Sequence, residues 1–252
     1  MKDTTINISV LVIAILLVHL IYVGYIWPVS DLAIQTAAES GLAVPRTFAV
    51  ILKDLEQEVC IILFLWTLFL ILSKMSSIMK SRYLYDVDFL GDLSVNLEQV
   101  NKILEKLLGL GFREQKKPLI EIVLTSLRRF KTTNNIQNTS ESIDSSLEAL
   151  ASKQDAENSM IRYLIWAIPS IGFIGTVRGI GEALAKADQA VQGDITGMTN
   201  SLGVAFNSTF VALIISIILM FFLHQLQRLQ DGEVVEIREY CEAKLLSRIS
   251  KT

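Results

Sequence analysis

Four long apolar runs constrain the fold of this chain more than any other feature. A bilayer core about 30 Å thick needs roughly 20 residues of helix. The first run covers residues 6–26, and the second covers residues 59–79. A third begins near Arg162, and the fourth extends from Ile195 to Leu223 without an ionised side chain. Because backbone in hydrocarbon must satisfy its own hydrogen bonds, these runs predict four transmembrane helices.

The composition agrees with an integral membrane protein and argues against several other classes. Hydrophobic residues make up 51% of the 252 residues and charged residues 19%, whereas a soluble domain carries roughly 25% charged residues. The formal net charge of −3 gives no indication of nucleic-acid binding. Two cysteines and two histidines, without a CxxC or HExxH motif, predict neither a disulfide framework nor a metal site. We therefore expect a membrane protein that is not an enzyme and carries no cofactor.

The polar stretches between the runs predict the domain organisation. Residues 1–79 form an N-terminal helix pair with an outer loop, and residues 160–225 form a second pair. Residues 80–159 and 226–252 are polar segments in which apolar residues recur every three or four positions, the pattern of amphipathic helices. The chain is thus predicted to be all-α and polytopic, with four transmembrane helices and a helical cytoplasmic region.

Lysine and arginine predict the orientation, because they accumulate in cytoplasmic loops. Eleven fall in residues 80–159, and five more fall in the tail. The loop between the first two runs holds only Arg46 and Lys53, and the loop after the third run holds Lys186 alone. Both termini are therefore expected in the cytoplasm.

The third run, AIPSIGFIGTVRGIGEAL, contains residues that a simple membrane anchor does not need. Gly172, Gly175 and Gly179 allow close approach of helix backbones, and the last two form a GxxxG pair. Pro169 removes the donor to the carbonyl of Ile165 and is expected to bend the helix. A dinucleotide site would require a preceding strand and a complete GxGxxG pattern, and neither is present. Helix packing is the interpretation that remains.

Hydroxyl groups lie in both of the last two runs, at Thr176 and Thr209. A threonine in a membrane helix often bonds its own backbone, which is one interpretation of each. The fourth run also carries a stripe of small or polar residues, which suits either a helix interface or a polar pathway: Leu202, Ala205, Thr209, Ala212 and Ser216. The candidate residues for an ion pathway are Thr176, Thr209, Ser216 and Asn207.

The runs lack an aspartate or glutamate near their middle. A proton or sodium path normally uses a carboxylate whose pKa is raised by burial. If ions cross here, a partner must contribute that group.

Two other polar residues lie in the runs. Arg178 could pair with Glu182 one turn later, or the two could set the field at the mouth of a pore. His19 could act as a proton relay, but a structural role that faces lipid or the membrane interface is the expected one.

The segments IPSIGFIGTVRGIGEAL and SLGVAFNSTFVALIISI resemble the two signatures of the MotA/TolQ/ExbB proton channel family. The resemblance covers roughly residues 142–230. It implies a bacterial inner-membrane ring, usually of five copies and closed by the glycines, around two single-span partners of the MotB/TolR/ExbD type. Those partners carry a membrane aspartate, which Thr176 and Thr209 would face as H⁺ or Na⁺ passes.

Two features depart from the family pattern. Four runs match MotA in number, whereas TolQ and ExbB have three and a more similar GTV motif. Arg178 stands where the family commonly has tryptophan or an apolar residue. The alternative to an ion-driven motor is a membrane scaffold that anchors a complex by helix packing and conducts no ions. The sequence does not distinguish among the processes that such a motor would power.

Overall fold

The computed structural model describes residues 2–40, 44–91, 97–191 and 195–249, and all regular secondary structure in these ranges is helical. Helices α1 (Lys2–Ile21) and α2 (Trp27–Glu39) are joined by a π-helical turn, Tyr22–Ile26. A second π-helical turn, Cys241–Leu246, precedes the last helix. The others follow in chain order: α3 (Phe48–Ile51), α4 (Leu55–Ser81), α5 (Tyr83–Asp86), α6 (Leu97–Leu108), α7 (Phe112–Gln115), α8 (Pro118–Thr133), α9 (Ile136–Leu184), α10 (Ala187–Val191), α11 (Thr196–Tyr240) and α12 (Ser247–Ile249).

Within the described residues, four helical stretches are long and apolar enough to cross a membrane: Thr5–Ala37, Leu55–Asp86, Ile136–Leu184 and Gly197–Ile249. Each contains one of the four apolar runs. The predicted all-α fold with four membrane-spanning helices is therefore confirmed.

The first helix continues well past the apolar run inside it. The run ends at Ile26, whereas the chain stays helical to Glu39. In the π-helical turn, the Trp27 N–H donates to the carbonyl of Tyr22 five residues back. The next residue, Pro28, has no N–H to donate. A widened turn is a known way for a helix to accommodate such an interruption, so the predicted outer loop begins later than the hydropathy suggests.

The second membrane helix begins earlier than its apolar run. Helix α4 starts at Leu55, which places Glu56 and Glu58 in its first turn. The side-chain oxygen of Gln57 accepts the N–H of Asp54 at 3.0 Å, which is one half of a capping box. Because of this cap, α4 begins four residues before the second apolar run, and Glu56 and Glu58 become part of the helix.

The chain divides into two compact units. Unit 1 comprises residues 1–72 and 160–224, and unit 2 comprises residues 73–159 and 225–252. Unit 1 holds the apolar parts of the four membrane helices. In it, Val18, Tyr22 and Ile26 form a buried cluster against α4, and the Trp66 indole donates to the carbonyl of Asn7 at 3.1 Å.

Unit 2 is a helical assembly around its own apolar core. Helix α8 begins with Pro118 at its first position and buries eight residues of its amphipathic face. These pack with α6 and with the C-terminal helical segment. The helical structure predicted for residues 80–159 is thus present where the structure describes them.

Polar contacts join the segments of unit 2. The Tyr240 hydroxyl donates to the carbonyl of Val87 at 3.0 Å and accepts the N–H of Phe89 at 3.2 Å. The Arg248 guanidinium bonds Asp88 at 2.6 Å and holds the pKa of that carboxyl below its ordinary value. These bonds attach the segment after α5 to the C-terminal end of the chain.

Candidate functional site

The last two membrane helices, α9 and α11, pack within unit 1 at distances that only glycine allows. A Cβ atom added at Gly172 would lie 2.5 Å from the Ala212 Cβ, and one at Gly179 would lie 2.5 Å from the Ala205 Cβ. A Cβ at Gly175 would lie 2.7 Å from the Ser208 Cβ. The three glycines therefore form one stripe that fits against a stripe of small residues on α11, as expected for close membrane-helix packing.

This packing corrects one expectation from the sequence. The glycines were expected to close a ring of subunits, but they contact α11 of the same chain. A GxxxG spacing indicates that some helix approaches closely, and it does not say which one.

The two candidate threonines meet across the α9–α11 interface. The Thr176 and Thr209 hydroxyl oxygens lie 2.7 Å apart, and Thr176 Oγ1 also donates to the carbonyl of Ala205 at 3.0 Å. Thr176 is only 6% exposed, whereas Thr209 is half-buried. Thr176 is therefore the inner residue of the pair, bonded to the backbone, and Thr209 is the outer residue, which is partly accessible.

Ser216 lies on the same face of α11, two turns beyond Thr209, and serves a different contact. Its hydroxyl donates to the carbonyl of Ile165 at 3.0 Å. Ile165 is the residue whose α-helical donor is missing, because it lies four residues before Pro169. Ser216 thus replaces the hydrogen bond that the proline removes, and α9 remains helical through Pro169.

We expect Ser216→Ala to lower the free energy of unfolding by about 1–3 kcal/mol, because the buried Ile165 carbonyl then loses its partner. In a Pro169→Ala background, residue 169 regains an N–H for that carbonyl, and Ser216→Ala should cost clearly less. Unfolding of the four proteins in detergent, followed by circular dichroism, measures this coupling. Equal costs in both backgrounds would contradict the assignment.

Asn207 does not join the threonine pair. It precedes Thr209 by two residues, which corresponds to about 200° around a helix. Asn207 is half-buried on that other side of α11. Of the four candidate pathway residues, only Thr176 and Thr209 contact each other in the described structure. Ser216 bonds the backbone of α9, and Asn207 lies on another side of α11.

A charged cluster lies where α4 begins, and Arg178 is its centre. The guanidinium binds both carboxyl oxygens of Glu56, at 2.7 and 2.8 Å. It also binds Glu182 at 2.7 Å and lies 3.5 Å from Asp54. The predicted Arg178–Glu182 contact is present, but the bidentate contact, the stronger geometry, is with Glu56. One feature of the sequence indicated the contact with Glu56: two acidic residues, Glu56 and Glu58, stand just before the second apolar run.

His19 also has a partner that the sequence did not indicate. Its Nδ1 lies 2.8 Å from Glu58 Oε1, with 57% of the histidine side chain and 7% of the glutamate side chain exposed. The ring meets Trp27 edge-on at 5.8 Å, and the Trp27 indole donates to the carbonyl of Lys53 at 3.0 Å. His19 is half exposed, as a lipid-facing or interface-facing residue would be, and it also ties α1 to α4.

A cavity of about 290 Å³ adjoins the charged cluster. Charged and hydroxyl groups form part of its wall: Lys53, Asp54, Arg178, Glu182, Lys186 and Ser201. Its lining also includes Gly175, Gly179 and Ala205, which belong to the α9–α11 interface. The cavity therefore reaches from the charged ends of the helices to the residues that hold the threonine pair.

Comparison with known proteins places this geometry in a family. The model of the MotA/TolQ/ExbB proton channel family matches residues 114–239, which is half of the chain. Curated proteins and solved structures give no significant match. The matched residues contain the glycine stripe, the threonine pair and the Pro169–Ser216 arrangement. The chain therefore belongs to the MotA/TolQ/ExbB proton channel family, whose members are multi-pass membrane subunits of energy-transducing channel complexes.

Proposed function

We propose that the chain is the ring-forming subunit of an ion-driven motor in a bacterial inner membrane. Five copies would surround two copies of a single-span partner of the MotB/TolR/ExbD type, whose membrane aspartate carries the proton or sodium ion. The observation that supports this most directly is the contact between Thr176 and Thr209, which places two hydroxyls together on the helices that the family model matches.

The pair can serve a carboxyl group in either protonation state. A hydroxyl has one proton to donate and two lone pairs. When Thr176 donates to the carbonyl of Ala205, Thr209 donates to Thr176 and offers a lone pair to a protonated carboxyl. When Thr176 donates to Thr209, the Thr209 proton is available to a carboxylate. Reversing the direction of the Thr176–Thr209 hydrogen bond thus allows the pair to bind the carboxyl group both when it carries a proton and when it does not.

Two carboxylates in the first turn of α4, Glu56 and Glu58, are already engaged. Glu56 binds Arg178 through both oxygens, and Glu58 lies against His19. Neither is placed to carry an ion past the threonine pair. This division supports a partner that contributes the carboxylate, since burying an uncompensated charge in the membrane costs several kcal/mol.

The orientation follows from the lysine and arginine distribution. Residues 80–159 and the tail carry most of these residues and would lie in the cytoplasm with both termini. The charged cluster around Arg178 then lies at the periplasmic end of the membrane helices.

Ion flux through vesicles tests the proposal. Membrane vesicles that contain the chain and its single-span partner should take up protons down an imposed gradient, reported by a pH-sensitive dye. Vesicles with either protein alone, or with the partner aspartate changed to asparagine, should not. Substituting sodium for potassium in the buffer distinguishes the two ions.

A non-conducting scaffold predicts a different result. The two proteins would still copurify, but uptake would match that of empty vesicles under every ionic condition. Such a result would contradict the motor assignment.

A further inference from the structure

The lining of the cavity in unit 1 includes two residues that adjoin the threonine pair. Ala205 is part of its lining, and the Ala205 carbonyl accepts the Thr176 hydroxyl at 3.0 Å. Gly175, the residue before Thr176, also lines it. Since glycine has no side chain, the α9 backbone itself faces the cavity here. The cavity thus extends from the charged cluster to residues in direct contact with Thr176, the inner residue of the site proposed for ion transfer.

We propose that this cavity is the proton entrance of the subunit, with Asp54 and Glu182 as the proton-exchanging groups at its mouth and Arg178 as the residue that positions them. The proposal rests on the proposed function, which the threonine pair supports separately. The access route would be formed by the N-terminal helix pair and the last two membrane helices of one subunit.

The size and polarity of the cavity suit water. A volume of about 290 Å³ has room for on the order of ten water molecules, and the polar groups in its wall provide the hydrogen bonds that buried water needs. A carboxylate at the mouth takes a proton from a periplasmic hydronium ion, which becomes water, and passes that proton to a water in the cavity, which becomes hydronium. The carboxylate ends in its starting state, and the proton moves along the waters toward the pair.

The charges that face the cavity balance one another. Lys53, Arg178 and Lys186 are cationic, Asp54 and Glu182 are anionic, and Glu56 neutralises Arg178 from beside the cavity. The Lys186 ammonium is held by the Ser201 hydroxyl at 2.7 Å. With no net charge to trap a counter-ion, the space remains available to water and to a passing proton.

Arg178 holds the residues on one side of the cavity in place. Its bidentate bond to Glu56 holds the first turn of α4 against α9, and its third nitrogen holds Glu182 at 2.7 Å. A planar guanidinium with a fixed fork of donors is suited to hold two carboxylates at once. Arg178 therefore holds Glu182 by a hydrogen bond and lies 3.5 Å from Asp54, which fixes the two carboxylates of the mouth near each other.

Blocking the cavity with a fixed charge tests the entrance. Val204 lines the cavity and is half-buried, so Val204→Cys places a thiol there with little change in shape. Val191→Cys is the matched control, because Val191 is 88% exposed and is not among the lining residues. The native Cys60 and Cys241 are both buried, so the unmodified chain gives the background. The probe is a membrane-impermeant methanethiosulfonate with a quaternary ammonium group, added from the periplasmic side.

Both variants should react with the probe, and only labelled Val204→Cys should lose proton uptake. We expect a fall of about tenfold or more, because a fixed positive charge and the loss of water raise the barrier for a proton. Labelled Val191→Cys should keep the uptake of the unlabelled complex.

Three outcomes would overturn the entrance. Full labelling of Val204→Cys with unchanged uptake shows that protons take another route. Labelling of Val191→Cys but not Val204→Cys shows that the cavity is closed to the periplasm. If valine at Thr176 or Thr209 stops uptake while labelled Val204→Cys does not, the entrance fails and the proposed function survives. Absence of uptake in the unmodified complex overturns both.

Discussion

Thr176→Val and Thr209→Val should each strongly reduce ion-driven proton uptake while leaving the assembled complex intact. Valine keeps the shape of threonine and removes the hydroxyl, so helix packing is retained. Without that hydroxyl, a hydrogen bond of the partner carboxyl or of the remaining threonine is lost at a buried site. The loss raises the free energy of the passing carboxyl by about 1–3 kcal/mol. Since about 1.4 kcal/mol corresponds to tenfold, we expect uptake to fall roughly 5- to 150-fold.

Conservative and matched variants separate this effect from packing. Thr→Ser at either position keeps a hydroxyl and should retain part of the uptake. Thr199→Val is the control on the same helix, because Thr199 is exposed and its hydroxyl donates to the carbonyl of Ile195, the residue before α11. Native mass spectrometry of each complex, beside the vesicle assay, reports assembly. Normal uptake in both valine variants would show that the threonines are only packing residues.

Adding one methyl group to the glycine stripe should destabilise the subunit strongly. In Gly179→Ala the new Cβ would lie 2.5 Å from the Ala205 Cβ and 2.9 Å from the Ala205 Cα, a backbone atom that cannot rotate away. Helices α9 and α11 must then separate. We expect a loss of about 1–3 kcal/mol in unfolding free energy, the usual cost of overpacking. Unfolding in detergent with increasing dodecyl sulfate measures it.

The chain contains both a control and a rescue for this change. Gly181 lies two residues away on the same helix with open space around its Cβ position, so Gly181→Ala should be neutral or stabilise by up to about 1 kcal/mol. The double variant Gly179→Ala with Ala205→Gly removes the 2.5 Å contact with the Ala205 Cβ but leaves the 2.9 Å contact with the Cα, so it should recover part of the loss. Equal stabilities of the Gly179→Ala and Gly181→Ala variants would contradict the close contact.

The sequence was sufficient for every feature that depends on local pattern. Apolar runs of bilayer length predicted four membrane helices, because a backbone in hydrocarbon has few ways to satisfy its hydrogen bonds. The signature residues around Thr176 and Thr209 indicated the family that the family model then matched. Where the helix ends depend on single turns, hydropathy was a poorer guide. Pro28 does not end the first helix, because a π-helical turn precedes it.

Contacts between distant segments were decided only by the tertiary structure. Spacing shows that Gly172, Gly175 and Gly179 share a face, but only the packed helices show that Ala212, Ser208 and Ala205 cover it. Arg178 had one predicted partner in its own helix, and its bidentate partner Glu56 lies 122 residues away. Ser216 and Pro169 are likewise ordinary in isolation and form a pair because helix packing brings the hydroxyl to an unfilled carbonyl. Periodicity records which side of a helix is buried, whereas the identity of the group that covers it depends on chain segments whose approach no local pattern encodes.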